Sequence, residues 1–493
     1  MDLYDLLYAL LILLPFVGGA ICIALPSPRQ ILAAMCTTVC ASALAALLMV
    51  WRVFTGGPAF GVVGWFYMDA LSAYHLCVMM MVFVASSIYA WGYFLREVET
   101  GHVKLRGLHQ FAGLWCGALA AMTLVLISNN LGIMWVGIEA TTLLTAFLIC
   151  IPVRPASLEA MWKYLLICSI GVAFAFLGTL MVAASANGLH LNPFDTLLWT
   201  KLRLSAASLN PMLLKAGFLC LLVGYGTKAG LAPMHSWLPD AHSQAPAPVS
   251  AIFSGFMLNA ALYCVMRYIP IVEINTGRVG WSLQLLVLFG LISIIVSAAF
   301  IIFQHDVKRL LAYHSVEHLG IITLGFGLGG LGTFAALFHT LNHSICKTLS
   351  FFAAGRLGQT YGTHNMKKMS GSLRSAPVWG IGLFGSILVL IGLAPFAMFM
   401  SEFQILKAAI DGHAILALIL FLAGGSVVFV GALGHAIAVA WGEPSPVVVP
   451  ERAGIVEKFL AFAPLAILLI LGLWMPAPLR NILEQAANVL GVN

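Results

Sequence analysis

Apolar residues run through this chain in long blocks, and polar residues collect in the short connections between them. Fourteen blocks reach the roughly twenty residues that an α-helix needs to cross a bilayer. They fall near 3–25, 31–54, 69–94, 110–128, 130–151, 160–186, 211–242, 247–269, 279–303, 310–329, 331–355, 377–410, 413–441 and 456–477. The seventh and twelfth are overlong and interrupted by Gly and Pro, so each is expected to cross as a broken helix. The pattern predicts an all-α, polytopic membrane protein of about fourteen spans, with no water-soluble domain between them. Residues 192–210, NPFDTLLWTKLRLSAASLN, alternate polar and apolar and are too polar to span. They are expected on the outer surface.

Composition strengthens this reading. Apolar residues make up 61% and charged residues 9% of the 493, and the mean hydropathy is +1.00. No soluble chain of this length has such a balance. The net charge of +6 would suggest nucleic acid in a soluble protein, but here the basic residues sit in short loops, and no nucleic-acid partner is expected. With the N-terminus outside, the inner loops hold Arg96, Lys104, Arg106, Arg154, Lys163, Lys308 and Arg309 among others. The outer side holds about half as many, including Arg52, Lys201, Arg203, Arg267 and Arg278. That bias predicts both termini on the outer side of a cell (inner) membrane. Asp2 and Asp5 stand where a signal peptide would carry positive charge. The ten cysteines lie almost entirely in apolar runs without CxxC pairs, and read as small packing residues.

The string GLAP occurs at 230–233 and again at 392–395, each time inside a broken span. Gly230, Pro233, Gly392 and Pro395 are the expected helix breaks. Copies five spans apart run in opposite directions, as an inverted five-helix repeat requires, and paired interrupted helices point to a transporter's ion site. The chain divides accordingly into 1–109, a three-helix segment; 110–270, the first repeat; 271–442, the second; and 443–493, a C-terminal helix.

Around the first break, GTKAGLAPMHSWLPDAHSQAPAP places Lys228, His235, Asp240 and His242 where a lipid-facing helix tolerates none of them. Glu139 stands in the middle of the fifth span with no charged neighbour within a turn. A charge there costs about 2.5–3.5 kcal/mol, so Glu139 is either protonated and bonded locally or partnered from another helix, and Lys228 is the candidate. At about 4 Å and an effective dielectric near 20, such a pair is worth about 4 kcal/mol. The tenth span carries His314, Glu317 and His318 on one face, and the eleventh carries His339, His343 and Lys347 at i, i+4 spacing. A stripe of titratable groups along apolar helices suggests a proton relay; the plainer alternative is neutral core histidines bonded to carbonyls. Glu402 follows the second break by under two turns. It is placed to pass a proton outward, or else to pair with Lys407.

Two motif matches lead nowhere by sequence alone. His314 to His318 spells HxxEH, a zinc-protease signature read backwards, but it sits mid-span without an obvious third ligand, so no metal site is expected. Gly325 to Gly330 fits GxGxxG, yet no strand surrounds it and no acidic residue follows at the required distance.

KAGLAPMHSWLPDAHSQAPAPVSA, DVKRLLAYHSVEHLG and the segment around Glu139 together resemble the antiporter-like membrane subunits shared by respiratory complex I, Mrp cation/proton antiporters and energy-conserving hydrogenases. Residues 339–371 and APFAMFMSEF are most similar to the component F branch of hydrogenase-4, found in formate-hydrogenlyase-type complexes. The resemblance implies that Glu139 and Lys228 form the charged pair controlling proton access. It also implies that the histidines and lysine of the eleventh span continue a central hydrophilic axis, and that Glu402 hands the proton out. Where many members carry a lysine or histidine in the eighth span, this chain has Asn259. An asparagine holds water but does not carry a proton.

The chain has no cysteine framework for iron–sulfur clusters, no c-type haem site and no nucleotide fingerprint. No cofactor of its own is expected. The function expected is therefore a proton-translocating subunit whose driving reaction lies in partners: other membrane subunits and a peripheral, hydrogenase-like redox module. Exchange of Na⁺ or K⁺ for H⁺ in an Mrp-type assembly would use the same residues, and a purely structural coupling subunit is the third reading.

Overall fold

Each apolar block folds as helix in the computed structural model, which describes residues 3–189, 192, 194–277, 279–443 and 452–491. Arg278, residue 193 of the 192–210 segment and 444–451 at the head of the C-terminal unit lie outside the described residues. In chain order the first helices are α1 (Leu3–Ala24), α2 (Pro28–Gly56), α3 (Ala70–Glu99), α4 (Leu105–Ile127), α5 (Leu131–Ile149) and α6 (Pro155–Ala184). Between α2 and α3 a short antiparallel hairpin, β1 (Ala59–Gly61) and β2 (Phe66–Met68), departs from the all-helical expectation. Three-residue strands leave too little alternation to be read from sequence. The polar 192–210 segment folds back as short turns and α7 (Trp199–Leu204).

The seventh block splits into α8 (Pro211–Ala229) and α9 (Trp237–Gln244). α10 (Ala247–Ile252) continues through a π-helical turn at Phe253–Met257 into α11 (Leu258–Asn275). Then follow α12 (Trp281–Ile301), α13 (Val307–Leu328), α14 (Gly330–Tyr361), α15 (Ser372–Ser375), and the split pair α16 (Pro377–Leu390) and α17 (Ala397–Asp411). α18 (Ile415–Ala440), α19 (Ile455–Leu473) and α20 (Ala477–Leu490) close the chain. Starts follow local chemistry: Asn130 caps α5 and Asp306 caps α13, each accepting two backbone N–H groups at 2.9–3.2 Å.

Eleven helices among the described residues are long and apolar enough to cross a membrane. Three of the fourteen expected blocks miss that standard, each for a physical reason. α13 and α14 carry the His/Glu/Lys stripe, and the α16–α17 pair is divided by its break. The continuous segment Ala247–Asn275 is the most enclosed, with its most apolar stretch 100% buried, against 28% in α18 and 17% in α19. That segment, with α13 and α14, is therefore the interior of the bundle, and α18 and α19 form its flank. Close approach is built from small residues, as in other membrane bundles. A Cβ on Gly224 of α8 would sit 2.5 Å from the Gly171 carbonyl of α6, so a side chain there would force the two helices apart.

The two GLAP breaks have one geometry. Gly230 and Gly392 adopt φ +77° and +71°, the left-handed region that glycine enters without penalty. In each copy the glycine N–H bonds three residues back (Thr227, Val389) and the next N–H five back (Gly226, Leu388). The residue four beyond the glycine then bonds to the residue one beyond it (Met234 to Leu231, Phe396 to Leu393).

Candidate functional site

The titratable residues read from the sequence come mostly from helices that pass through the interior. Lys228 (α8), His242 (α9), His314 and His318 (α13), and His339, His343 and Lys347 (α14) are each 0% exposed. Asn259 (α11) and Glu317 (α13) are also buried.

At one end, Lys228 donates to the Tyr164 hydroxyl of α6. The Thr145 hydroxyl donates to the Thr141 carbonyl at 2.5 Å, so Tyr164 in turn donates to Thr145 Oγ1 at 2.6 Å. Lys228, Tyr164 and Thr145 form a chain of donors with a single direction. Glu139 does not join it: among the described residues its one hydrogen-bond partner is Ser169, at 3.5 Å, and Oε2 has none. The contact pair that the sequence suggested for Glu139 and Lys228 is therefore not formed. α6 supplies the neighbour of each instead, Tyr164 to Lys228 and Ser169 to Glu139.

At the centre, the Asn259 amide donates to the Gly255 carbonyl and to Ser344 Oγ of α14, both at 3.3 Å. Gly255 lies within the π-helical turn at Phe253–Met257. Ser254 and Ser315 meet at 2.7 Å beside it. On α14, Lys347 donates to the Leu311 carbonyl of α13 at 2.6 Å.

At the other end the histidines gather. His314 Nδ1 lies 3.1 Å from Glu317 Oε2. The Ser401 hydroxyl of α17 donates to the Met398 carbonyl at 2.8 Å, so its oxygen accepts the His339 Nδ1–H at 2.9 Å. His339 Nε2 is then a lone pair, and it accepts from His318 Nδ1–H at 2.9 Å. Glu402 is adjacent: its carboxylate packs against Gly392, where any Cβ would collide with it. Lys407 pairs instead with Asp411 at 2.6 Å, so the alternative partner expected for Glu402 is engaged elsewhere. Several buried polar atoms along this row lack a protein partner, among them both nitrogens of His242 and His343, Nε2 of His314 and His318, and Asn259 Oδ1. Unpaired buried groups of this kind cost free energy and are usually satisfied by internal water.

Two expected residues stand apart. Asp240 keeps 24% side-chain exposure and joins Lys163, at 3.1 Å, to Arg309. His235 is half-buried with its ring edge toward Tyr313. The break lifts this part of 226–248 to the face of the bundle, so Asp240 clamps α6, α9 and α13 together there rather than lying in the interior. Lys308 supports the same end of α9 by donating to the Ser243 and Ala245 carbonyls.

Sequence reasoning missed a second polar cluster. Arg267, read as a loop charge, is 4% exposed and bonds Asp69 through both terminal nitrogens, Tyr263 at 2.7 Å, and Ser72. His75, also fully buried, bonds the Leu71 carbonyl at 2.8 Å. An ionisable residue inside an apolar span was a signal for His75; nothing local pairs Asp69 with Arg267.

Residues 128–428 match the family described as NADH:quinone oxidoreductase/Mrp antiporter, transmembrane. Over 80% of this chain, 37% of residues are identical to a hydrogenase-4 component F homolog of Methylacidiphilum infernorum, covering 83% of that protein. Hydrogenase-4 component B of Escherichia coli is 30% identical over 72% of the chain, which spans about half, 52%, of that longer protein. The solved structure of the membrane-bound sulfane sulfur reductase, an archaeal respiratory membrane complex, contains a chain that matches with a TM-score of 0.85, covering 98% of this chain and 97% of that one at 22% identity.

Proposed function

The chain belongs to the NADH:quinone oxidoreductase/Mrp antiporter transmembrane family, and on that premise we propose that it translocates protons, driven by a redox reaction in a hydrogenase-4 or formate-hydrogenlyase type complex. It is an antiporter-like membrane subunit of such an oxidoreductase complex, with other membrane subunits beside it. The single observation that carries the proton reading is the row of buried titratable groups from Lys228 to His339, with the half-buried Glu402 beside its end. In a membrane interior such groups are retained for ion or proton movement.

In the proposed route, Glu139 takes up the proton and passes it toward Lys228, whose amine the Tyr164–Thr145 donor chain holds in place between α8 and α6. Internal water held by Asn259 and Ser344 bridges to Lys347 and His343, with His242 alongside. His314, Glu317, His318 and His339 carry it on to Glu402, which releases it. Asp240 and His235 act at the mouth of the break, where Asp240 holds the half-helix in place. Moving one charge against 100 mV requires about 2.3 kcal/mol, which the redox reaction of the partner module has to supply. The redox step belongs to a peripheral module, and the two inverted five-helix units, the cell-membrane location and the outer position of both termini form part of the same proposal. The shared face of Lys163, Asp240 and Arg309 agrees with the inner loops expected for two of them.

The test is Glu139→Gln and Lys228→Ala in the assembled complex, following ΔpH formed per electron transferred. Loss of pumping with electron transfer retained is expected; unchanged stoichiometry in both variants would falsify the site assignment. The Mrp branch of the family keeps Na⁺/H⁺ exchange as the second reading, and sodium-dependent transport without any redox substrate would select it.

A further inference from the structure

We propose that His318, His339 and Glu402 form a binding site for a divalent transition-metal ion of the zinc class, bridging α13, α14 and α17. One donor atom from each of the three lies within 4.8 Å of the other two, and His314, Glu317 and His318 form a second such set that shares His318. The HxxEH stripe on α13 thus acquires from α14 and α17 the outside ligands that its sequence could not reveal.

The chemistry of the donors suits zinc, which takes imidazole nitrogen and carboxylate oxygen in tetrahedral sites with one position left for water. Ligand atoms about 2.05 Å from zinc stand about 3.3 Å apart in that geometry. His318 Nδ1 and His339 Nε2 are 2.9 Å apart, so the pair needs to open by only about 0.4 Å relative to that spacing. His339 already presents a lone pair, because Ser401 holds its other nitrogen as N–H. Such an outer hydrogen bond fixes the tautomer and orientation of a ligating histidine. His318 must move its proton off Nδ1, and its Nε2 is buried without a protein partner, so that nitrogen takes the proton and none need leave the protein. Two carboxylates, Glu317 and Glu402, border a cavity of about 30 Å³ beside the set. Together they balance the ion's two positive charges.

Binding would tie the half-helix after the second break to two interior helices and occupy the lone pairs of His318 and His339. Arrest of proton transfer follows, a consequence that rests on the proposed pathway, whereas binding itself does not. The purified full chain in detergent, stripped with chelator, is titrated with Zn²⁺ by calorimetry and with Co²⁺ by its visible spectrum. One ion per chain, an intense tetrahedral Co²⁺ band and a rise in Tm are expected, with affinity at least tenfold weaker in His339→Gln and in Glu402→Gln. X-ray absorption of the wild-type Zn²⁺ form should show two imidazoles and an oxygen ligand, a readout that does not depend on how the variants fold. Equal affinity in both variants, or no bound ion in the wild type, overturns the site. Binding that is lost in the variants but leaves pumping by the wild-type complex unaffected upholds the site and counts against the pathway instead.

Discussion

Replacing Tyr164 with Phe removes one oxygen from the interior and tests the relay more sharply than removing Lys228. Among the described residues the tyrosine hydroxyl is the only hydrogen-bond partner of the Lys228 amine, and it donates in turn to Thr145 at 2.6 Å. A hydrogen bond to a charged group contributes about 1.5–3 kcal/mol. Its loss lowers the population of the bridged arrangement by about 10- to 150-fold, at 1.36 kcal/mol per tenfold. The ring volume is nearly unchanged, so the packing of Tyr164 against Trp237, at 4.9 Å between centroids, persists. The assay is proton uptake per electron in vesicles carrying the assembled complex, with electron transfer measured alongside and thermal unfolding checking that the chain is intact. Proton translocation should fall at least tenfold while electron transfer continues. A wild-type ratio in Tyr164→Phe would mean that the proton does not pass between α8 and α6, and the directed donor chain would be a packing feature only.

Asp69→Asn leaves the buried Arg267 guanidinium without its counter-charge and should destabilise the fold by about 3–5 kcal/mol. Asp69→Met combined with Arg267→Met should recover most of that loss in a thermal double-mutant cycle; simple additivity would refute the coupling. Asn259→Leu keeps the branching of the side chain but removes the amide bonded to Gly255 and Ser344, and is expected to depress pumping; a normal proton-to-electron ratio would move the route off α11. In the loop after α14, burial pushes the His364 ring down to about 3, below the roughly 6.5 of an unfolded histidine. The unfolded state therefore binds the proton first. Stability falls as pH drops below about 6.5, by at most about 2 kcal/mol at pH 5, and hydrogen exchange in residues 362–371 should rise at pH 5 in wild type and less so in His364→Asn.

The apolar blocks were legible because a bilayer imposes a length that a single sequence displays directly. α-Helical periodicity likewise brought His314, Glu317 and His318 onto one face, and the structure keeps them together. Partners across helices were not legible. Asp69 and Arg267 meet over a separation of 198 residues, and Tyr164 reaches Lys228 where small residues bring α6 and α8 close together. Asp240 misled for the opposite reason: its neighbours in sequence are interior residues, yet the break turns it toward Lys163 and Arg309 at the surface.

The two breaks show how one backbone device can serve different chemistry. Their hydrogen-bond patterns agree position by position, so the repeated string is a structural repeat of the turn and not a coincidence of four letters. Two residues before the glycine, however, the first copy carries Lys228 and the second Leu390. The acid of the second copy, Glu402, comes from beyond the break and rests on the glycine itself. An amine at the end of one half-helix and a carboxyl group near the start of another stand at the two ends of the proposed route. Substitution of Gly392 should therefore disturb both the turn and the carboxyl group packed on it.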